Sequence, residues 1–211
     1  MRGLRIVPAL ALLLGGPALA DIAVYRDAPV SYVGANILTL NAEGPAFDQT
    51  PGGFLFRLGG MVDPNFGAEV RIGRGLWHET ERAGVARLQL DVDHVAGVYG
   101  TGRLPFDVPL VELPLVDKLF VHGLVGIADV QLRTEADICG NPGCGGTRIT
   151  RANSTDLSWG VGLGMELALP RIELPVLNSP RRMGLSLEYM NYGGKNDVDL
   201  TGIEAGLMIF F

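Results

Sequence analysis

Three histidines, two cysteines and a set of charges spaced two residues apart are the groups in this 211-residue chain that could do chemistry. His78 lies in Trp77-His78-Glu79-Thr80-Glu81-Arg82. A helical zinc site needs a second histidine four residues after the first, and Arg82 stands there instead, a cation that cannot ligate a metal. The segment reads as a polar loop, with Trp77 at an interface where aromatic rings collect. His94 and His122 have no serine within several residues, so no nucleophile and base adjoin in sequence. Such groups can still meet in space. Gly97-x-x-Gly100 and Gly162-x-Gly164 precede no helix whose N-terminus could hold a phosphate. No catalytic residue, no cofactor and no metal is expected.

The cysteines fall in Cys139-Gly140-Asn141-Pro142-Gly143-Cys144. Asn-Pro-Gly is turn chemistry and can fold the two sulfurs together. In an oxidising compartment that spacing predicts a local disulfide between Cys139 and Cys144. Half of a zinc site is the alternative, but a second pair of ligands is absent nearby.

The remaining candidates are charges, and their spacing shows what must position them. From Leu157 to Leu169 every odd residue is Leu, Trp, Val or Met, and the even ones are Ser, Gly, Glu and Ala. Only a strand sorts residues with period two. The same alternation recurs at 33–38, 54–59, 67–73, 184–190 and 202–211. It is weaker at 86–104, where His94 breaks the register and suggests a bulge. At 119–133 both faces are apolar, and the register stays open. The pattern predicts eight strands, roughly 31–40, 53–63, 66–76, 85–104, 118–133, 156–169, 183–191 and 199–211. Asp63-Pro64-Asn65 is a tight turn. The connections 105–117 and 170–182 are Pro-rich, whereas 41–52, 77–84, 134–155 and 192–198 are polar and Gly-rich.

One explanation covers apolar alternate faces, thirteen-residue strands and charges on the opposite face. A closed barrel spans lipid because every backbone amide is then paired. The fold expected is an all-β, eight-stranded antiparallel up-and-down transmembrane β-barrel. Eight strands leave an interior just wide enough for side chains to fill. Arg57, Arg71 and Arg87 would face inward against Glu69, Asp91, Asp93, Glu166, Glu188 and Glu204, forming an ion-pair network in the lumen. On the lipid side such charges would cost about 2–4 kcal/mol each near the midplane.

Composition agrees. Mean hydropathy is +0.26 despite 30 glycines and 13 prolines, and no stretch after residue 20 is apolar for the roughly 20 residues of a spanning helix. Residues 1–20 read as an export signal. Arg2 and Arg5 are followed by an apolar run over 6–14 and a small-x-small cleavage site, Ala18-Leu19-Ala20. Residues 21–211 are then one barrel domain, with no second domain expected. The net charge of −6 becomes more negative without the leader, which argues against nucleic acid.

Two stretches carry a family resemblance. Glu204-x-Gly206-x-x-Ile209-x-Phe211 resembles the C-terminal insertion signal of outer-membrane barrels. Phe56-Arg57-Leu58-Gly59 through Asp63-Pro64-Asn65-Phe66 to Ala68-Glu69 is similar to a strand–turn–strand of the opacity-protein, or OmpA-like, small barrels of the porin-family type. The resemblance implies a Gram-negative outer-membrane location, lipid around the barrel and insertion by the barrel assembly machinery. The chain departs from two-domain members, since no peptidoglycan-binding domain follows the last strand, and its 105–117 turn is longer than usual.

The function expected is a structural or surface-interaction role through the outer loops 41–52, 77–84, 134–155 and 192–198, which could take an unidentified ligand, over a plugged lumen. The alternatives are a lipid-modifying enzyme, a narrow porin-like channel, or a soluble ligand-carrying periplasmic barrel. The last would need apolar residues inside and polar ones outside.

Overall fold

The computed structural model describes residues 31–44, 47–63, 65–83, 86–106, 116–140, 143–168, 182–195 and 198–211. The leader read at 1–20 and most of both Pro-rich connections lie outside the described residues.

Ten strands follow in chain order: β1 Ser31–Gly44, β2 Phe47–Gln49, β3 Gly52–Met61, β4 Phe66–Trp77, β5 Glu79–Ala83, β6 Ala86–Phe106, β7 Val116–Gly140, β8 Gly143–Ala168, β9 Arg182–Lys195 and β10 Val198–Phe210. Eight of them pair antiparallel in the order β1-β3-β4-β6-β7-β8-β9-β10. The ring closes where β10 returns to β1, from Tyr32↔Phe210 to Glu43↔Asp199. Short β2 folds back on β1, and β5 pairs with β6. This is the eight-stranded antiparallel barrel that the period-two pattern predicts.

The β3–β4 turn is set by its aspartate. Asp63 Oδ1 accepts the N–H groups of Asn65 and Phe66 at 2.7 and 2.8 Å, an Asx turn that a short polar side chain makes locally. The Asn65 side chain then donates to the Arg103 carbonyl at 2.9 Å and ties the turn to β6.

Side chains alternate as strand geometry demands. Leu163, Leu187 and Ile203 point away from the barrel and are 61, 58 and 56% exposed. With Phe56, Leu58, Ile72, Val98, Val125 and Ile127 they form an encircling apolar belt. Toward the loop end outward positions turn polar at Thr39, Arg74, His94, Asp129, Thr155, Asn191 and Thr201, although Leu76 and Ile149 beyond them are exposed and apolar. Phe66 and Leu104 are exposed at the turn end, and Trp159 and Tyr189 near the loop end pack at 6.0 Å between ring centroids.

The loop end differs from expectation. Much of 41–52, 77–84, 134–155 and 192–198 is paired strand rather than irregular loop. β4 leaves β6 at Gly73↔Val95 and β9 leaves β8 at Trp159↔Asn191. Yet β6 and β7 stay paired to Ala86↔Ile138, and β7 and β8 to Gly140↔Gly143. A flap of β5, β6, β7 and β8 therefore continues beyond the polar rim. Hairpin hydrogen bonding propagates once register is set, and polarity of the side chains does not stop it.

The flap also corrects the expected lumen set. The β6–β7 register shifts between Val92 and His94, the bulge suggested by His94. Beyond it, Leu90 and Val92 point inward and are buried, while Arg87, Asp91 and Asp93 are half-exposed on the outward side. These three are not in the lumen. Above the belt the outward face of β6 meets polar surroundings, so on this strand the preferred alternation reverses.

Candidate functional site

The barrel interior is stacked in layers. Nearest the turn end, Tyr32, Met61, Phe120, Met208 and Phe210 form an apolar floor. The Arg103 guanidinium lies 3.6 Å from the centroid of the Phe120 ring and 4.9 Å from that of Phe210, a cation–π arrangement. It also pairs with Glu166 at 2.6 Å, and Arg182 reaches the other Glu166 oxygen at 3.0 Å.

Above the floor lies the charged layer. Arg57 on β3 pairs with Glu69 at 2.8 Å and with Glu188 at 2.5 Å. Arg71 on β4 bridges three carboxylates: Glu69 and Glu188 at 2.5 Å each and Glu204 at 2.7 Å. All five side chains are at most 3% exposed. Three carboxylates face two guanidiniums, and neutral donors serve the excess. Tyr32 donates to Glu69 at 2.5 Å, Asn36 to Glu204 at 2.6 Å, Ser186 to Glu188 at 2.9 Å, and Tyr192 to Glu204. His122 Nε2 stands 3.2 Å from Glu188 Oε1. A void of about 20 Å³ adjoins Arg57, Thr101, Arg103 and His122, enough for one water among polar partners.

This layer can form only because alternation sends Arg57, Glu69, Arg71, Glu188 and Glu204 inward at one height. The ladders place Arg57 opposite Arg71 and Glu204 opposite Glu188. Two like-charged pairs, each repulsive alone, become complementary when closure brings β3–β4 across from β9–β10. Glycines make the room: at Gly162 a Cβ would meet both His122 and Glu188, and at Gly206 it would meet Asn36.

Of the nine charges read as one network, five form the central layer and Glu166 forms a second pair site with Arg103 and Arg182. Sequence reasoning missed Tyr32, Asn36, Arg103, His122, Arg182 and Tyr192. Inward parity on β1, β6 and β9 marks Tyr32, Asn36, Arg103 and Tyr192. His122 had no such signal, because β7 is apolar on both faces. The structure turns Phe120, His122, Leu124, Ala128, Val130 and Leu132 inward.

Toward the loop end a third layer is aliphatic, built from Leu38, Leu40, Leu55, Leu90, Val92, Val95, Leu124, Val130, Leu132 and Leu200, with Met190, Tyr99 and Tyr192 beneath. Above it opens a cavity of about 380 Å³ between the flap and the start of β10.

At the rim, His94 Nε2 lies 2.8 Å from Asp129 Oδ2, and Thr155 donates to Asp129 Oδ1 at 2.6 Å. The Thr155 hydrogen bond, helped by that of His94, holds the Asp129 carboxyl below the usual carboxylate range. The cysteines stand as ladder partners, Cys139↔Cys144. Such partners have Cα atoms about 4.5–5.5 Å apart, within the span of a disulfide. Their side chains lie outside the described set. Among the described residues no group of three or more His, Cys, Asp or Glu is placed to hold a metal ion.

Residues 7–211 match the family described as outer membrane protein beta-barrel domain. Among solved structures, Ail, the attachment invasion locus protein of Yersinia pestis, aligns with a TM-score of 0.52 at 13% identity, over 88% of this chain and 100% of that one. Ail in complex with the heparin analogue sucrose octasulfate aligns with a TM-score of 0.51 at 13% identity over the same shares. Neisserial surface protein A gives 0.47 at 14% identity, again over 88% and 100%. At 13% identity the likeness to Ail is one of fold. No curated protein matches the chain significantly in sequence.

Proposed function

Because the chain belongs to the outer-membrane β-barrel family whose pattern residues 7–211 match, we propose that it is a surface-interaction barrel with a plugged lumen, its loop end facing outside the cell. The apolar belt then meets lipid, and Trp159 and Tyr189 lie near the outer headgroup region, where amphipathic rings are stable. The terminal Glu204, Gly206, Ile209 and Phe211 act as the insertion signal read by the assembly machinery. Cys139 and Cys144 close a disulfide near the flap tip.

The observation that carries this reading is the flap. On β8, residues 143–158 pair with β7 on one side, and the ladder with β9 begins only at Trp159. An open strand edge held above the membrane is a template for an extended partner segment. Arg148 and Arg151 lie on that edge, and charges of this kind suppress indiscriminate pairing. Trypsin on intact cells should cut at Arg148 or Arg151, while the barrel core stays protected. Cells with the flap trimmed over 136–148 should lose adherence or aggregation that full-length cells show. Equal behaviour would leave only a structural role, and resistance of the flap to protease would reverse the orientation.

The plugged lumen rests on the three interior layers, each buried. In planar bilayers the barrel should show no unit conductance. Discrete channel steps would favour the narrow channel instead. Nor does the rim support an enzyme. Thr155 donates to Asp129 rather than to His94, so the order is that of a tether and not of a nucleophile–base–acid chain.

A further inference from the structure

We propose that the cavity at the loop end is a binding cup for an aliphatic chain that ends in an uncharged oxygen. The inference rests on the outward orientation proposed above only for which side the ligand comes from.

The cup has the size of a small-molecule site, about 380 Å³. Leu90, Val130, Leu132, Ala152, Val198 and Leu200 line it. These side chains are aliphatic, and the described lining residues offer no ring to stack on, so the site fits a flexible chain. Below it, the buried Tyr99, Leu124, Met190 and Tyr192 close the barrel, so the cup is blind rather than a route through.

The head-group preference comes from the polar part of the wall. Ser154 is 7% exposed and its Oγ has no hydrogen-bond partner among the described residues. A buried hydroxyl without a partner costs free energy that a bound oxygen can recover. Thr134 and Asn153 also line the cup. The one cation among the lining residues, Arg151, is exposed and lies 3.7 Å from Asp93 on the outward face of the flap. Among the described lining residues no charge is thus directed at a carboxylate or an ammonium head, and a neutral oxygen suits Ser154. In this arrangement the hydroxyl turns into the cup to meet the ligand's oxygen.

The flap's inner face explains why such a surface persists in water. Leu90 and Val92 are inward because of the β6 bulge, and Val130 and Leu132 by the unbroken alternation of β7; without a ligand they face an empty mouth. Burial of an aliphatic chain there removes apolar area from water, which is favourable.

The test is methyl NMR on the full barrel in lipid nanodiscs, titrated separately with 1-octanol, octanoate and octylammonium. With 1-octanol, the methyls of Leu90, Val130, Leu132, Val198 and Leu200 should shift saturably, while belt methyls at Leu163, Leu187 and Ile203 drift without saturation as alcohol enters the bilayer. Octanoate and octylammonium should bind at least several-fold more weakly. Ser154→Ala should weaken 1-octanol about 2–10-fold, the worth of one hydrogen bond. Leu132→Asp should abolish the saturable shifts while heat-modifiable gel mobility still reports a folded barrel. Shifts that never saturate at the cup methyls, equal binding of all three head groups, or unchanged affinity in Ser154→Ala would each overturn the proposal. Maleimide labelling of Asn153→Cys on intact cells reads the orientation separately. A cup that binds in nanodiscs but is not labelled on cells would refute the outward orientation and leave the site standing.

Discussion

Removing the guanidinium of Arg71 should damage this barrel more than removing any one of the carboxylates it binds. Arg71 holds Glu69, Glu188 and Glu204 at 2.5–2.7 Å in a layer almost without solvent. In Arg71→Met the apolar stem is kept, and three buried carboxylates are left with Arg57 alone among the central cations. Breaking a buried pair by removing one partner costs about 3–5 kcal/mol, mostly the desolvation of the charge left behind. Against a total stability of about 5–15 kcal/mol this is a large share. With urea slopes of about 1–3 kcal/mol per molar, the midpoint should fall by roughly 1–5 M. Glu204→Gln should behave differently. It leaves two arginines facing two glutamates; Asn36 and Arg71 can still donate to the amide oxygen, and the amide NH2 can donate to the Tyr192 hydroxyl oxygen, so the loss should stay within about 1 kcal/mol. The double variant should be more stable than Arg71→Met, since it relieves one uncompensated charge. Urea unfolding in lipid vesicles, followed by Trp77 and Trp159 fluorescence and by heat-modifiable mobility, measures all three. If Arg71→Met leaves the midpoint in place, or costs no more than Glu204→Gln, the charged layer does not hold the barrel as argued.

Other outcomes follow from single positions. Gly59 faces Tyr32 across the ladder, and a Cβ there would occupy the Tyr32 ring; Gly59→Ala should cost about 1–3 kcal/mol in the same urea assay, whereas Gly60→Ala, which meets open space, should be neutral. The lowered Asp129 carboxyl should stabilise the rim at neutral pH and down through the ordinary carboxylate range, and that contribution should vanish as pH falls through its depressed value. In Thr155→Val, carboxyl NMR should show Asp129 titrating closer to the ordinary value. Thiol labelling of the unfolded protein should modify Cys139 and Cys144 only after reductant; labelling without it would show that ladder partnership did not lead to a bond.

Fold class was legible because strand geometry writes directly into sequence. In lipid the outward face must be apolar, so period two survives in 157–169 and 203–211 and marks both face and strand. The inward assignment of Arg57, Glu69, Arg71, Glu166, Glu188 and Glu204 follows from that alternation alone. Where the outside is water, the constraint is lifted, and the same logic misplaced Arg87, Asp91 and Asp93. One residue of bulge at 92–94, which His94 hints at in the sequence, swaps faces for everything beyond it on β6.

Alternation along each strand thus settled which side of the wall most side chains take, because that is a local property of the backbone. Which inward residues meet was decided only by closure. Arg57 and Arg71 are neighbours on one hairpin, and Glu188 and Glu204 on another, more than a hundred positions later. Their pairing depends on strand stagger around the ring, a property of all eight strands together, and so does the cup that the flap encloses above them.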